Sequence, residues 1–590
     1  MKNYKLIPFG RVACLCLFLT ALIPHLSFTQ KNFTWYGQTF RLDTLYPATG
    51  TTGMNSPWEV VYGPDDSLWV TESHAYNIWK INPGNKGIRL LKNLNTERDF
   101  TDNMAKNCWP QGGLMGLAIH PQFSTGKPWV YVAYVYNMVG GACSAGAGSY
   151  HTKIVRCQYD FSAGSLTILD TVITGLNGSN DHNSGRLRIS PLVEPDGKYH
   201  LYYTIGDQGA GNLANINRPN HAQDTTIVEG KTLRLNTEPD PSLSGAQKWI
   251  PGDNPFPTGA LPAAKSPVYS YGHRNPQGLV FGSVNHGSSY ILYSSEHGDE
   301  SDDEVNIIMP HTNYGWPKVA GLCDNNYSSS AVPGDSMYLA NKLVISEKGV
   351  CDTMAVEEPI FSFYNWDRNA IKAAHNKPNN MYWGTIAPAS IAFYGAGAIP
   401  NWNYSLLIPS LKNGLFRLKL KADGLSIDST QLPYDTLHYL TGYRLRNITV
   451  APTGDTLFLA VDNSCCTLGP SGVLGNSVAT PAPGFILRMV YLTTLALPDS
   501  LPGIPHPSAV PVCKIYPNPA HYTLNIQGRP GEQLPWLVKI YDIMGRPVLE
   551  QESTALNFSL DIRHLSPGIY VCRMWNGYGV PLLTEKILIQ

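Results

Sequence analysis

The chain has little charge. Only 15% of its 590 residues are Asp, Glu, Lys or Arg, and the formal net charge is −1. With no long basic run there is nothing to draw in nucleic acid or an anionic bilayer, so neither is expected as a partner. Beyond the first thirty residues no stretch reaches the ~20 apolar residues that a membrane helix needs, so no membrane span is expected in the mature chain. No C-x-x-C-H occurs, which leaves covalent haem attachment unsupported. Glycine (54), proline (45), tyrosine (33) and tryptophan (13) are plentiful. These are the residues of turns and aromatic strands, and they predict an all-β protein.

Residues 1–30 place Lys2, Lys5 and Arg11 before the apolar run VACLCLFLTALI and then PHLSFTQ, the order of a secretory signal peptide. Of the 11 cysteines, Cys14 and Cys16 leave with that segment, and nine remain for an oxidising compartment, so at least one lacks a partner within the chain. Cys323 with Cys351 and Cys108 with Cys143 are plausible pairs, although spacing does not fix connectivity.

A loose pattern recurs six times between residues 58 and 464: an apolar strand, a turn with proline or glycine and polar groups, then a strand rich in Tyr, Trp and Leu. Its copies are WEVVYGPDDSLWVTES, GLAIHPQFSTGKPWVYVAYV, RLRISPLVEPDGKYHLYYTIGD, GLVFGSVNHGSSYILYSSEHG, SLLIPSLKNGLFRLKL and ITVAPTGDTLFLAVDNS. No such fragment buries both faces alone. Radial stacking of fragments solves that problem and shortens the exposed edges, so a six-bladed β-propeller over 31–494 is expected, with loops gathered at one end of its channel. Residues 495–512 carry Pro498, Pro502, Pro505, Pro507 and Pro511 and read as an extended linker. Residues 513–590 hold short alternating strands that suit a small β-sandwich. Their phrases IYPNPAHYTLNIQG, VKIYDIMGRPVL and LSPGIYVCRM resemble the sorting domain of the type IX secretion system, which implies a cleaved export address and the type IX machinery as partner. An accessory β-domain binding carbohydrate or protein is the alternative.

Five segments crowd polar and charged groups at strand ends: NDHNSGRL, TIGDQG, GHRNPQG, SEHGDESDDE with NYGWP, and YRLRN. Together with PWEVVYGP, GLMGLAIHP, TIAPAS and PSLKNG they resemble the soluble glucose dehydrogenase family, propellers that carry pyrroloquinoline quinone (PQQ) and Ca2+, from about Pro57 to Val490. The resemblance implies that Gln111, Arg274, Asn275, Thr385, Lys412, Arg444 and Arg446 contact the cofactor. Its three carboxylates call for fixed cations, and arginine holds a carboxylate with two parallel bonds. Arg444 and Arg446 alternate on a strand and share a face, and Arg274 would face the reactive quinone oxygen. His182 takes the role of general base, suited by its near-neutral titration, and Asp207 orients it. The small residues around His182 would then leave room for the sugar.

The acidic run is no EF-hand, because counting from Asp299 puts Glu304 and Pro310 where glycine and glutamate are required. The resemblance instead implies calcium on the backbone carbonyls of Gly298 and Asp299, and a second calcium at Glu304, Tyr314, Ala320, Leu322 and Asp324. Asp181, Asn212, Asn380 and Trp383 fall near the substrate. Asn212 is a shortened amide, Asn380 replaces a tyrosine, and His297 replaces a glutamine beside the metal, so the sugar need not be glucose. The expectation is a secreted quinoprotein that oxidises an aldose to its lactone and passes electrons to an external acceptor. A cofactor-free propeller binding module at the cell surface, or a calcium-dependent lactonase, would share the fold without needing the arginines.

Overall fold

The computed structural model describes residues 31–48, 52–100, 110–139, 149–211, 215, 217–257, 265–284, 289–326, 346–375, 383–412, 414–429, 438–463, 480–492, 513–528, 535–541, 547–576 and 581–590. The expected signal peptide and linker, Cys108, Cys143, Asn212 and Asn380 therefore lie outside the described residues. The chain falls into two compact units, 1–494 and 495–590. No helix among the described residues is long and apolar enough to cross a membrane.

The first unit is built from antiparallel sheets whose strands follow chain order. Pro57–Tyr62, Leu68–Glu72, Asn77–Ile81 and Ile88–Asn93 make the first; Leu114–Ile119, Trp129–Met138, Ser149–Asp160 and Ser165–Ser179 the second; Leu187–Ile189, His200–Ile205, Lys231–Asn236 and Val268–Tyr271 the third. Pro276–Val284, Ser289–Glu296, Asp303–Ile307 and Phe361–Phe363 make the fourth, and Ala392–Tyr394, Ser405–Pro409, Leu415–Lys419 and His438–Tyr439 the fifth. The sixth runs Leu445–Val450, Thr456–Val461, Ile486–Leu492 and then, from the other end of the unit, Gln38–Tyr46 and Lys31–Trp35. Each repeated phrase supplies two adjacent strands of one sheet.

The first strand of every sheet packs on the first strand of the next, and Leu445–Val450 returns to Pro57–Tyr62, so these strands close a ring. Covering both faces explains why Leu68–Glu72 and His200–Ile205 are buried at every position instead of alternately. Inside the ring, Arg186 is fully buried; it pairs with Glu59 (Nη1 to Oε2, 2.5 Å) and donates to the carbonyls of Gln277 (2.8 Å) and Ala389 (2.7 Å). Glu59 also accepts from Asn447 Nδ2 at 3.0 Å and Arg188 Nη1 at 3.3 Å. This single network joins the first, third, fourth, fifth and sixth sheets or the segments beside their first strands. Burial pulls the Arg186 guanidinium down to about 10 while Glu59 opposes the shift.

The second unit holds a three-stranded sheet (Cys513–Tyr516, Thr523–Gly528, Asn557–Asp561) and a four-stranded one (Pro547–Ser553, Trp536–Tyr541, Gly568–Asn576, Pro581–Ile589). Residues from both sheets, among them Leu524, Ile526, Trp536, Val538, Leu560 and Ile587, share one apolar core.

Candidate active site

His182 lies in the turn between the second and third sheets and is 5% exposed. Its Nδ1 is 2.7 Å from Asp207 Oδ1. A carboxylate there accepts from Nδ1–H, which fixes the tautomer and leaves the Nε2 lone pair for other work; Asp181 Oδ2 is 3.7 Å from Nε2. The small residues around the ring serve the backbone. His182 and Ser184 have φ of 51° and 56°, a region costly for most side chains, and a Cβ on Gly206 would come within 2.2 Å of the His182 carbonyl oxygen. Asn183 stitches the turn down, its side chain bonded to the main chain of Ser179 and of Gln111 (2.7 to 2.8 Å). Gln111 in turn reaches Asp181 Oδ1 at 3.2 Å and accepts from the Asn183 N–H at 2.9 Å.

Asp207 is fully buried and its carboxylate is fully used. Oδ1 accepts from the Gly209 N–H (2.9 Å) as well as from His182, and Oδ2 accepts from Trp316 Nε1 (2.7 Å) and Asn220 Nδ2 (3.1 Å). The guanidinium of Arg274 lies over the Trp316 ring, 5.3 Å from its centroid, and Nη2 donates to Asp299 Oδ1 at 3.1 Å. The main-chain N–H groups of Arg274 and Asn275 both point at Glu296 Oε1. Asn275 accepts from Ser184 Oγ at 3.0 Å, and its Nδ2 is buried without a hydrogen-bond partner among the described residues.

Across the ring, Arg444 and Arg446 share Asp462, through Nε to Oδ1 at 3.0 Å and Nη2 to Oδ2 at 2.6 Å respectively. Arg446 also donates to Gln277 Oε1 at 2.9 Å and stacks 4.5 Å over Trp58. Arg444 donates to the Leu411 carbonyl at 2.8 Å, beside Lys412. Lys412 Nζ bonds Thr385 Oγ1 at 2.5 Å and the Trp383 carbonyl at 3.1 Å. Burial depresses the Lys412 ammonium to about 8, against the opposing charge of Asp303. Asp303, pushed up to about 6 by burial, accepts from the Gly298 N–H at 2.8 Å. Gly298 tolerates no side chain, since a Cβ would stand 2.0 Å from the Ser301 carbonyl oxygen. His297 Nε2 is buried without a partner among the described residues; burial first, then Arg274, His182 and Arg446, push its titration well down, which keeps it neutral. Trp58, Gln111, Gly112, Asn180, Arg446 and Asp462 line a cleft of about 210 Å³.

The expected second metal set lies on two neighbouring segments. Glu304 accepts from the Gly321 N–H at 2.8 Å, the Ala320 N–H donates to Glu347 at 3.1 Å, and the Asp324 N–H donates to the Leu322 carbonyl at 2.9 Å. The Tyr314 hydroxyl donates to the Ile307 carbonyl at 2.5 Å. Burial raises Glu304 well above the ordinary carboxylate range and Asp302 to about 7. The Cys323–Cys351 disulfide ties this loop to the helix Glu347–Met354. Among the described residues no three His, Cys, Asp or Glu side chains converge as a metal cage.

The described candidates thus fall into two chains of contacts, one from His182 through Asp207, Trp316 and Arg274 to Asp299, and one from Gln277 through Arg446, Asp462 and Arg444 to the Leu411–Lys412 segment, with Arg274 and Gln277 only three residues apart in sequence. The sequence reading lacked Asp462, Trp316, Asn220, Gln277 and Glu296. Gln277, Glu296 and Trp316 stand in the singled-out segments GHRNPQG, SEHGDESDDE and NYGWP without a role assigned to them, and Asp462, in the repeat copy ending LAVDNS, carries the signal of an acid directly after an apolar strand.

The profile of the family described as Glucose / Sorbosone dehydrogenase matches residues 54–339 and 364–468, and that of the Secretion system C-terminal sorting domain matches 514–590. The chain is 31% identical over 479 residues to quinoprotein glucose dehydrogenase B of Acinetobacter calcoaceticus, covering 75% of this chain and 90% of that protein. It is 27% identical over 360 residues to an aldose sugar dehydrogenase of Escherichia coli, covering 60% and 75%. Among solved structures, the PQQ-bound aldose sugar dehydrogenase of Streptomyces coelicolor aligns at 24% identity over 77% of this chain and 98% of that one, with a TM-score of 0.46. The extent of the profile match and the identity to the Acinetobacter protein show that the chain belongs to the glucose/sorbosone dehydrogenase family and ends in a secretion system sorting domain.

Proposed function

We propose that the first unit is a six-bladed propeller, one blade per sheet, that binds PQQ and Ca2+ and oxidises an aldose at its anomeric carbon to the lactone. The sorting domain, a β-sandwich in this reading, delivers it by the type IX machinery to the cell surface or medium. The chain of contacts from the oriented base through Asp207 and Trp316 to Arg274 carries the proposal. In this reading His182 Nε2 takes the proton of the anomeric hydroxyl, Asp207 holds the imidazole and stabilises its protonated form, Asp181 positions the sugar, and Gln111, bonded to Asp181, contacts the cofactor. The cofactor, when bound, supplies the hydride acceptor.

Charge supports the cofactor. Arg274, Arg444 and Arg446 are held by the carboxylates of Asp299 and Asp462, and Asp303 lies near Lys412. A divalent cation on the carbonyls of Gly298 and Asp299 would add positive charge beside them for the cofactor's three carboxylates. The binding-module reading gives this costly set of buried cations no task.

Adding calcium and PQQ to purified protein is expected to produce dye reduction with at least one aldose in a panel; no saturable quinone binding and no reduction would leave the binding module. Lys412 gives a second test. An anionic cofactor needs its ammonium form, which in the folded chain is lost as pH rises through about 8. Quinone affinity, followed by fluorescence titration, is therefore expected to fall toward about tenfold per pH unit above that point. Lys412→Met should bind weakly and without this pH dependence.

A further inference from the structure

We propose that Trp316 is a positioning residue that couples the two halves of the reaction centre, setting the proton affinity of His182 through Asp207 while fixing Arg274 on its face. The inference rests on the reading of His182 as base. Trp316 is committed in three directions, two through its indole and one through its main chain. Nε1 donates to Asp207 Oδ2 at 2.7 Å, the shorter of the two bonds on that oxygen. The ring face carries the Arg274 guanidinium at 5.3 Å. The main chain is held by the Trp316 N–H on the Gly272 carbonyl (3.0 Å) and by Gln223 Nε2 on the Trp316 carbonyl (2.7 Å). Arg274 and Asp207 also meet directly, since the Arg274 carbonyl accepts from the Asp207 N–H at 2.8 Å. An arginine and a base-orienting aspartate thus both rest on one side chain.

The chemistry has a sign. A donor on a carboxylate draws off negative charge and weakens what remains for the imidazolium. Removing the indole N–H leaves Asp207 a stronger partner for protonated His182, so the midpoint of the imidazole must rise. The other charged or titratable groups around this pair are Asp181, 3.7 Å from the ring on its own segment, His297, from the segment after the second strand of the fourth sheet, and Arg274, whose carbonyl accepts from the Asp207 N–H. None of them is changed by Trp316→Phe, which keeps an aromatic face beneath Arg274.

The test is carbon-13 histidine NMR on the full-length protein without quinone or metal, with His182 assigned by loss of its signal in His182→Asn. Trp316→Phe is expected to raise the His182 midpoint by on the order of half a pH unit or more; an unchanged or lowered midpoint overturns the proposal. In quinone- and metal-loaded protein the acid limb of kcat/KM should move the same way while quinone affinity holds, which a merely structural tryptophan would not produce. Should Trp316→Phe fail to fold, Asn220→Ala removes the weaker donor from the same oxygen and is expected to shift the midpoint upward by less, with no shift again overturning the coupling. A shifted midpoint in a protein that oxidises no sugar would refute the functional reading and leave the coupling standing. Sugar oxidation with no shift would do the reverse.

Discussion

His182→Ala is expected to keep quinone binding and lose turnover by at least about a hundredfold, the usual worth of a positioned base. The imidazole is held by one strong bond to Asp207, and its removal opens space without breaking any cation pair. Quinone titration and fold should therefore survive while kcat falls. In the proposed reading the base acts on sugar already bound, so KM should change less than kcat. Turnover close to wild type would remove His182 from the chemistry and throw the proton onto Asp181, the other group near Nε2.

Glu59→Ala is expected to destabilise the first unit by about 3–5 kcal/mol, because it strands a buried charge. Arg186 has no exposure and its two carbonyl partners cannot balance a full positive charge. Arg188 and Asn447 lose their acceptor on Glu59 at the same time. Urea midpoints of the full-length chain would register the loss. Glu59→Gln combined with Arg186→Met removes both charges and should recover most of it, since a neutral pair escapes the desolvation penalty. A single variant as stable as wild type would mean that the ring does not depend on this ion pair.

Much of this architecture was legible in the sequence because its signal is local. Each repeated phrase carries two strands and the turn between them, and the histidine and aspartate of NDHNSGRL and TIGDQG stand only 25 residues apart. What the sequence concealed is long-range. Trp316 reaches Asp207 across 109 residues, Arg186 reaches Glu59 across 127, and Arg446 reaches Gln277 across 169. No pattern of alternation announces such partners, because each is set by where the sheets meet. The reading of the small residues near His182 as room for substrate missed their positive φ, which is a property of the turn and not of its surface. The pairing of Gln38–Tyr46 with Ile486–Leu492 was hidden for the same reason: two ordinary strands lie some 450 residues apart, and nothing in either names the other.

That last pairing dictates the order in which the protein can mature. The sheet that seals the circle takes strands from both ends of the unit, so a chain emerging amino-terminus first cannot finish folding until its residues near 490 have arrived. Until then Gln38–Tyr46 lacks its partner Ile486–Leu492, and a strand left with an unpaired edge is a liability for aggregation. Only the stretch 493–513 separates the strand that completes the ring from the residues that match the sorting domain, so the first unit can close only shortly before that domain begins to emerge.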